Sequence, residues 1–102
     1  MATLEEITEK VRRAVASGSG LGRSVKLDLK GEGVIRIDGA SVSNDDAPAD
    51  LVVAISRADL EALGRRQLDP MRAVMTGRMK LSDMGLAMTL APDIQSLLSR
   101  AM

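Results

Sequence analysis

The chain has no cysteine, no histidine and no aromatic residue. Without cysteine there is no disulfide, no thiolate nucleophile and no soft metal site. Without histidine the commonest general base and metal ligand is gone. No metal centre and no cofactor are therefore expected. Without Phe, Tyr or Trp the core has to be built from Leu, Val, Ile, Met and Ala. Two layers packed without rings must fill the space between them with flexible side chains or leave room. Net charge is also missing, since fourteen basic residues balance fourteen acidic ones. This argues against a nucleic-acid partner, because phosphate binding needs a basic excess. It argues equally against strong adsorption to anionic membranes. No apolar run approaches the roughly 20 residues that span a bilayer. The longest, Leu51-Val52-Val53-Ala54-Ile55, has the length of a strand. Glu5, Glu6 and Glu9 near the start are unlike a secretory signal. A cytoplasmic protein without stable membrane insertion is the expectation.

What is present is an ordinary globular composition, 45% hydrophobic and 27% charged, which at 102 residues makes a single domain over 1–102. Thr3-Leu4-Glu5-Glu6 is a capping box. It opens a helix whose Leu4, Ile7, Val11, Ala14 and Val15 recur at helical spacing. Gly18-Ser19-Gly20-Leu21-Gly22 ends that helix. These glycines follow a helix and precede a strand, which is the wrong context for a phosphate loop, so they read as a stop and hinge. Val25, Leu27 and Leu29 alternate with charged residues, as in a half-buried strand. Gly31-Glu32-Gly33 turns the chain, and Val34 to Asp38 returns with Ile35 and Ile37 inward. Asn44-Asp45-Asp46 has no glutamate at a calcium-ligand spacing and reads as a solvated turn. Asp50 to Ile55 is a third strand. Ser56-Arg57-Ala58-Asp59 is a second capping box, opening a short helix with Leu60 and Leu63 inward and Gly64 at its end.

The stretch from Asp69 to Leu90 holds five of the seven methionines: Met71, Met75, Met79, Met84 and Met88. Asp69-Pro70 has the pattern of an N-cap followed by proline at the first helical position. Met71, Val74 and Met75 share a helical face, and Gly77 offers a left-handed stop. Met79 and Leu81 alternate with Lys80 and Ser82, as in a strand. Asp83 can cap the next helix, in which Met84, Ala87 and Met88 share a face. Pro92 is expected to break or kink it. A closing helix then carries Ile94, Leu97 and Leu98 on one side. Strands gathered early and helices late give α+β, a sheet with helices on one face. Four strands are clear, and a fifth would come from Val42 or from a split around Gly39.

Thr76 to Leu90, TGRMKLSDMGLAMTL, resembles the signature of the sterol carrier protein family of small lipid-binding domains. That pattern is a glycine, a basic-apolar strand, a polar turn, then Met-Gly-Leu-Ala-Met and an apolar close. Asp69-Pro70, Ala73 and the segment Leu51 to Leu63 fit it too. The chain departs from the pattern at Ser82-Asp83, where a glycine is usual, and in its lack of aromatics. The resemblance implies a mostly antiparallel five-stranded sheet with an apolar cavity between sheet and helices. It also implies a fatty acid, an acyl-CoA or a similar long lipid as ligand.

Two functional readings follow. Met is unbranched and polarisable, and it repacks around varied apolar shapes. In the first reading Met71, Val74, Met75, Met79, Leu81, Met84, Ala87, Met88, Ile94, Leu97 and Leu98 enclose a lipid. The basic pair Arg65-Arg66 then holds its anionic head group. In the second the same apolar surface, including the terminal helix from Ile94 to Met102, meets a partner protein or a second copy of the chain. Domains similar to this one serve as dimerisation units of larger enzymes and as accessory proteins in quinone synthesis. Lys80 and Ser82 share a strand face, but nothing near them reads as an oxyanion hole, so no catalysis is expected.

Overall fold

The computed structural model describes residues 3–18 and 21–101. Ser19, Gly20 and Met102, which fall within two of the segments read above, lie outside them. Helix α1, Leu4–Ala16, starts where the Thr3 hydroxyl accepts the Glu6 N–H at 3.2 Å. It buries Ile7, Val11, Ala14 and Val15. Strands β1 (Val25–Asp28), β2 (Val34–Asp38) and β3 (Ser41–Ser43) form an antiparallel meander. The short third strand, centred on Val42, completes the sheet. Strand β4, Leu51–Ile55, lies parallel to β1 on its other side. It leads into α2 (Arg57–Gly64) and α3 (Pro70–Met75), and β5 (Met79–Leu81) returns antiparallel to β4. Helix α4, Met84–Ala101, closes the fold.

The sheet order is β3-β2-β1-β4-β5, with three antiparallel pairings and one parallel. Period-2 alternation puts Val25, Leu27, Ile35, Ile37, Leu51, Val53 and Ile55 on one buried face. The helices cover that face. At one point the cover is very close. A Cβ on Gly33 would come within 2.5 Å of Leu4 Cδ2, the movable end of that side chain, and the φ of +123° is what favours glycine in this turn under α1.

The β3–β4 connection starts at the sheet edge beside α1 and then crosses the opposite face. Asn44 Nδ2 donates to the Thr8 hydroxyl and the Val34 carbonyl, both at 2.9 Å. Lys26 pairs with Asp46 at 2.7 Å. Arg36 donates to the Pro48 carbonyl through Nε and Nη2 at 3.1 and 3.0 Å. Residues 44–50 are therefore a strap fastened to the sheet, and Asn44, Asp45 and Asp46 stay exposed as a solvated turn should. At its far end the carboxylate of Asp50 accepts the Ser24 N–H at 3.2 Å and Arg23 Nε at 3.3 Å. These two donors, the backbone N–H first, hold its carboxyl below the usual aspartate range.

Of the two outcomes expected at Pro92, a break or a kink, the break does not occur. Pro92 lies inside α4, which runs unbroken for 18 residues. Proline removes the hydrogen bond to the Met88 carbonyl. Both residues are exposed, so water can serve that carbonyl, while Leu90, Leu97 and Leu98 are buried on either side. Gly64 ends α2, as the sequence suggests. It is the last helical residue, and the chain turns left-handed at Arg66, φ +60°.

Candidate functional site

An apolar cavity of about 90 Å³ lies between the sheet and the last three helices. Its floor is Leu27 of β1, Leu51 and Val53 of β4, and Met79 and Leu81 of β5. Leu60 and Leu63 of α2 form one wall, and Pro70, Met71 and Val74 of α3 another. Met84, Ala87, Met88, Ala91, Ile94, Gln95 and Leu98 of α4 close it. Gln95 is the only polar side chain in that lining. Its Nε2 donates to the Leu63 carbonyl at 2.8 Å and to the Ser99 hydroxyl at 3.2 Å.

Local sequence fixes the walls. Asp69 Oδ1 accepts the Met71 N–H at 3.1 Å and starts α3 with Pro70 in its first turn. The helix ends after one and a half turns in a Schellman motif. Gly77 N–H donates to the Val74 carbonyl at 3.2 Å and Arg78 N–H to the Ala73 carbonyl at 2.8 Å. That reversal delivers Met79 to the sheet edge opposite Ile55. Asp83 Oδ1 then accepts the Leu86 N–H at 3.0 Å and aims α4 back across the cavity.

Of the residues singled out in the sequence, Met71, Val74, Met79, Leu81, Met84, Ala87, Met88, Ile94 and Leu98 line this space. Met75 does not, being 81% exposed on the outer side of α3. Leu97 is buried but lies outside the lining, because one residue turns the helix by about 100° and carries it off the face of Leu98. Met71, Met84 and Met88 are each more than half exposed, so they form a rim and not an interior surface. Leu27, Leu51 and Val53 are missing from the sequence-based set. They alternate like any core strand residue, and only the parallel pairing of β1 with β4 brings them together.

A second, larger space of about 960 Å³ opens beside the first and faces solvent. It is bounded by the α2–α3 loop from Arg66 to Asp69, by Pro70, Arg72 and Thr76 of α3, and by Arg78 and Gln95. It is a surface cleft, wider and more open than the apolar space beside it. Arg66 borders this cleft, whereas Arg65 borders neither space. Ser82 stands just past β5, where its hydroxyl accepts the Val52 N–H at 2.9 Å and its own N–H donates to the Val52 carbonyl at 3.0 Å. It extends the sheet edge. Among the described residues no cluster of acidic side chains could hold a metal, and no helix is long and apolar enough to cross a membrane.

The model of the SCP-2 sterol transfer family matches residues 1–95. No curated protein matches the chain in sequence. Among solved structures, sterol carrier protein 2 like 2 from Aedes aegypti superposes with a TM-score of 0.69 at 25% identity, over 87% of this chain and 94% of that one. A palmitated form of that protein, also from Aedes aegypti, gives 0.60 at 23% identity, over 91% and 95%. A ubiquinone synthesis protein, UbiJ-SCP2, gives 0.53 at 18% identity, over 89% and 74%. The last two likenesses concern the fold alone.

Proposed function

The chain belongs to the SCP-2 sterol transfer family, and from that premise we propose that it holds a long-chain acyl lipid between sheet and helices. Lipid binding or transfer is the general property it shares with that family. The observation that carries the finer reading is the cavity lining, apolar except for Gln95 and rimmed by exposed methionines. A fatty acid or acyl-CoA would place its chain there.

At about 90 Å³ the space is smaller than the roughly 300–1,000 Å³ of a ligand pocket. A whole acyl chain therefore enters by moving side chains aside. Met71, Met84 and Met88 suit that task, because an unbranched thioether changes rotamer at little cost. Burial then drives affinity, at about 0.8 kcal/mol per methylene removed from water. Titration with fatty acids of increasing length tests this. Affinity should climb with chain length and then level off once the cavity is full. A flat series would place binding at the surface and overturn the reading.

The exposed methionines also support a second reading, in which the same rim meets a protein partner or a second copy of the chain. A ubiquinone synthesis protein shares this fold, so the fold is compatible with that second reading. Sedimentation combined with native mass spectrometry separates the two readings. A monomer carrying lipid favours the first, and a lipid-free dimer the second.

A further inference from the structure

We propose that the open cleft bounded by Arg66, Arg72 and Arg78 receives a phosphate-bearing head group, while the attached acyl chain occupies the apolar cavity. This rests on the lipid reading above and assigns the other end of the ligand. The two spaces meet, because Pro70 and Gln95 border both. A ligand with an apolar tail and a charged end has a place for each on adjoining surfaces.

The charge in the cleft is unbalanced. Three arginines border it beside one carboxylate, Asp69, one of whose oxygens already caps α3. Among the described residues, Arg12, Arg23, Arg36 and Arg57 make ion pairs, and these three arginines make none. A chain with no net charge thus concentrates cations beside its apolar cavity. Planar guanidinium groups bind phosphate oxygens in pairs. A phosphate monoester offers nearly two charges at neutral pH and three acceptor oxygens. A carboxylate offers one charge and two oxygens, so three arginines suit the phosphate better.

The backbone at Arg66 is the third observation. Arg66 N–H donates to the Leu63 carbonyl at 3.2 Å and Gln67 N–H to the Ala62 carbonyl at 2.8 Å. This is the same Schellman motif that ends α3, where the left-handed residue is Gly77. Glycine adopts that conformation without strain, and arginine does not. The motif itself gains nothing from a side chain at this position. What Arg66 adds is a guanidinium at the edge of the cleft.

Binding of lauroyl lysophosphatidate, lauric acid and dodecanol, each below its aggregation concentration, tests the assignment in wild type, Arg66→Gly and Arg72→Gln. All three probes carry one chain length. Wild type should bind the lysophosphatidate most tightly, and rising salt should weaken it. Each substitution should weaken that probe roughly two- to fivefold, as loss of one exposed charge contact does, and leave dodecanol unchanged. Arg66→Gly should also melt at a higher temperature than wild type, so a folding defect cannot imitate the loss. Equal wild-type affinity for the three probes, or equal losses for all of them, would overturn the head-group site and leave the cavity reading standing. Glycerol 3-phosphate binding as tightly as the lysophosphatidate would also overturn it, since the anion would then need no tail. If wild type binds no dodecanol, the cavity reading itself fails.

Discussion

The carbonyl oxygen of Leu63 accepts two hydrogen bonds, from Gln95 Nε2 of α4 at 2.8 Å and from the Arg66 N–H at 3.2 Å. One atom thus joins the stop of α2 to the helix that closes the cavity. Gln95→Leu removes one of these bonds and leaves the carbonyl with its other donor. The expected loss is about 0.5–1.5 kcal/mol, read as a fall of several degrees in Tm. An unchanged Tm would mean that the side-chain bond contributes nothing to holding α4 in place.

Met79 is the buried methionine of the cavity floor. Met79→Ala should cost about 2–5 kcal/mol in chemical denaturation. A bound fatty acid should restore part of that loss, because its chain fills the enlarged space. A core position away from the ligand would show the loss without the recovery.

Met88 is 60% exposed and borders the cavity. Met88→Trp should therefore be tolerated, at a cost under about 1 kcal/mol, because added bulk at a half-open rim displaces no packed neighbour. The wild type has no tryptophan, so the new side chain is a local reporter. Its emission should begin near that of exposed indole and move to the blue when an acyl ligand binds. Emission that is unaffected by ligand would remove Met88 from the rim.

Asp50 gives the strap a pH dependence. Its carboxyl titrates lower in the folded protein than in the unfolded chain, because Ser24 N–H and Arg23 favour the charged form. The resulting stability is complete above the ordinary aspartate value of about 3.9. It is lost as pH falls through the lower folded value. Asp50→Asn should flatten that part of the acid limb and leave stability at neutral pH only slightly reduced. An acid limb identical to wild type would assign the pH dependence to other carboxylates.

Chelation should leave the melting temperature unchanged, since neither cysteine nor histidine is available to bind a structural metal. A fall of several degrees on adding EDTA would contradict this.

Local chemistry made much of the fold legible. Thr3, Ser56, Asp69 and Asp83 each cap a helix from within three or four residues, and Gly77 stops α3 in the same local way. Alternation identified the inward faces of β1, β2 and β4. Non-local features were less legible. β3 was legible only as one of two alternatives, at Val42 or around Gly39, because its three residues exist through pairing with β2. The parallel seam between β1 and β4 leaves no mark in either strand, and it sets the floor of the cavity. Pro92 reads as a break or a kink, and it is not a break, because the packing of α4 on both sides of it outweighs one lost hydrogen bond. The cleft arginines are scattered at 66, 72 and 78, and only the two helix reversals bring them together.

The seam has a further consequence. Every residue lining the cavity, except Leu27, lies at or beyond Leu51. The first fifty residues supply a frame of α1 and the meander, and the rest of the chain supplies the container. Change at the cavity-lining positions of the second half can therefore reshape the contents, provided the residues of β4 and α4 that pack on β1 and α1 are kept. A library diversified at those lining positions from residue 51 onward would explore ligand size and head group while α1, the meander and the strap keep their wild-type sequence. Such a division lets one scaffold serve lipids of different lengths.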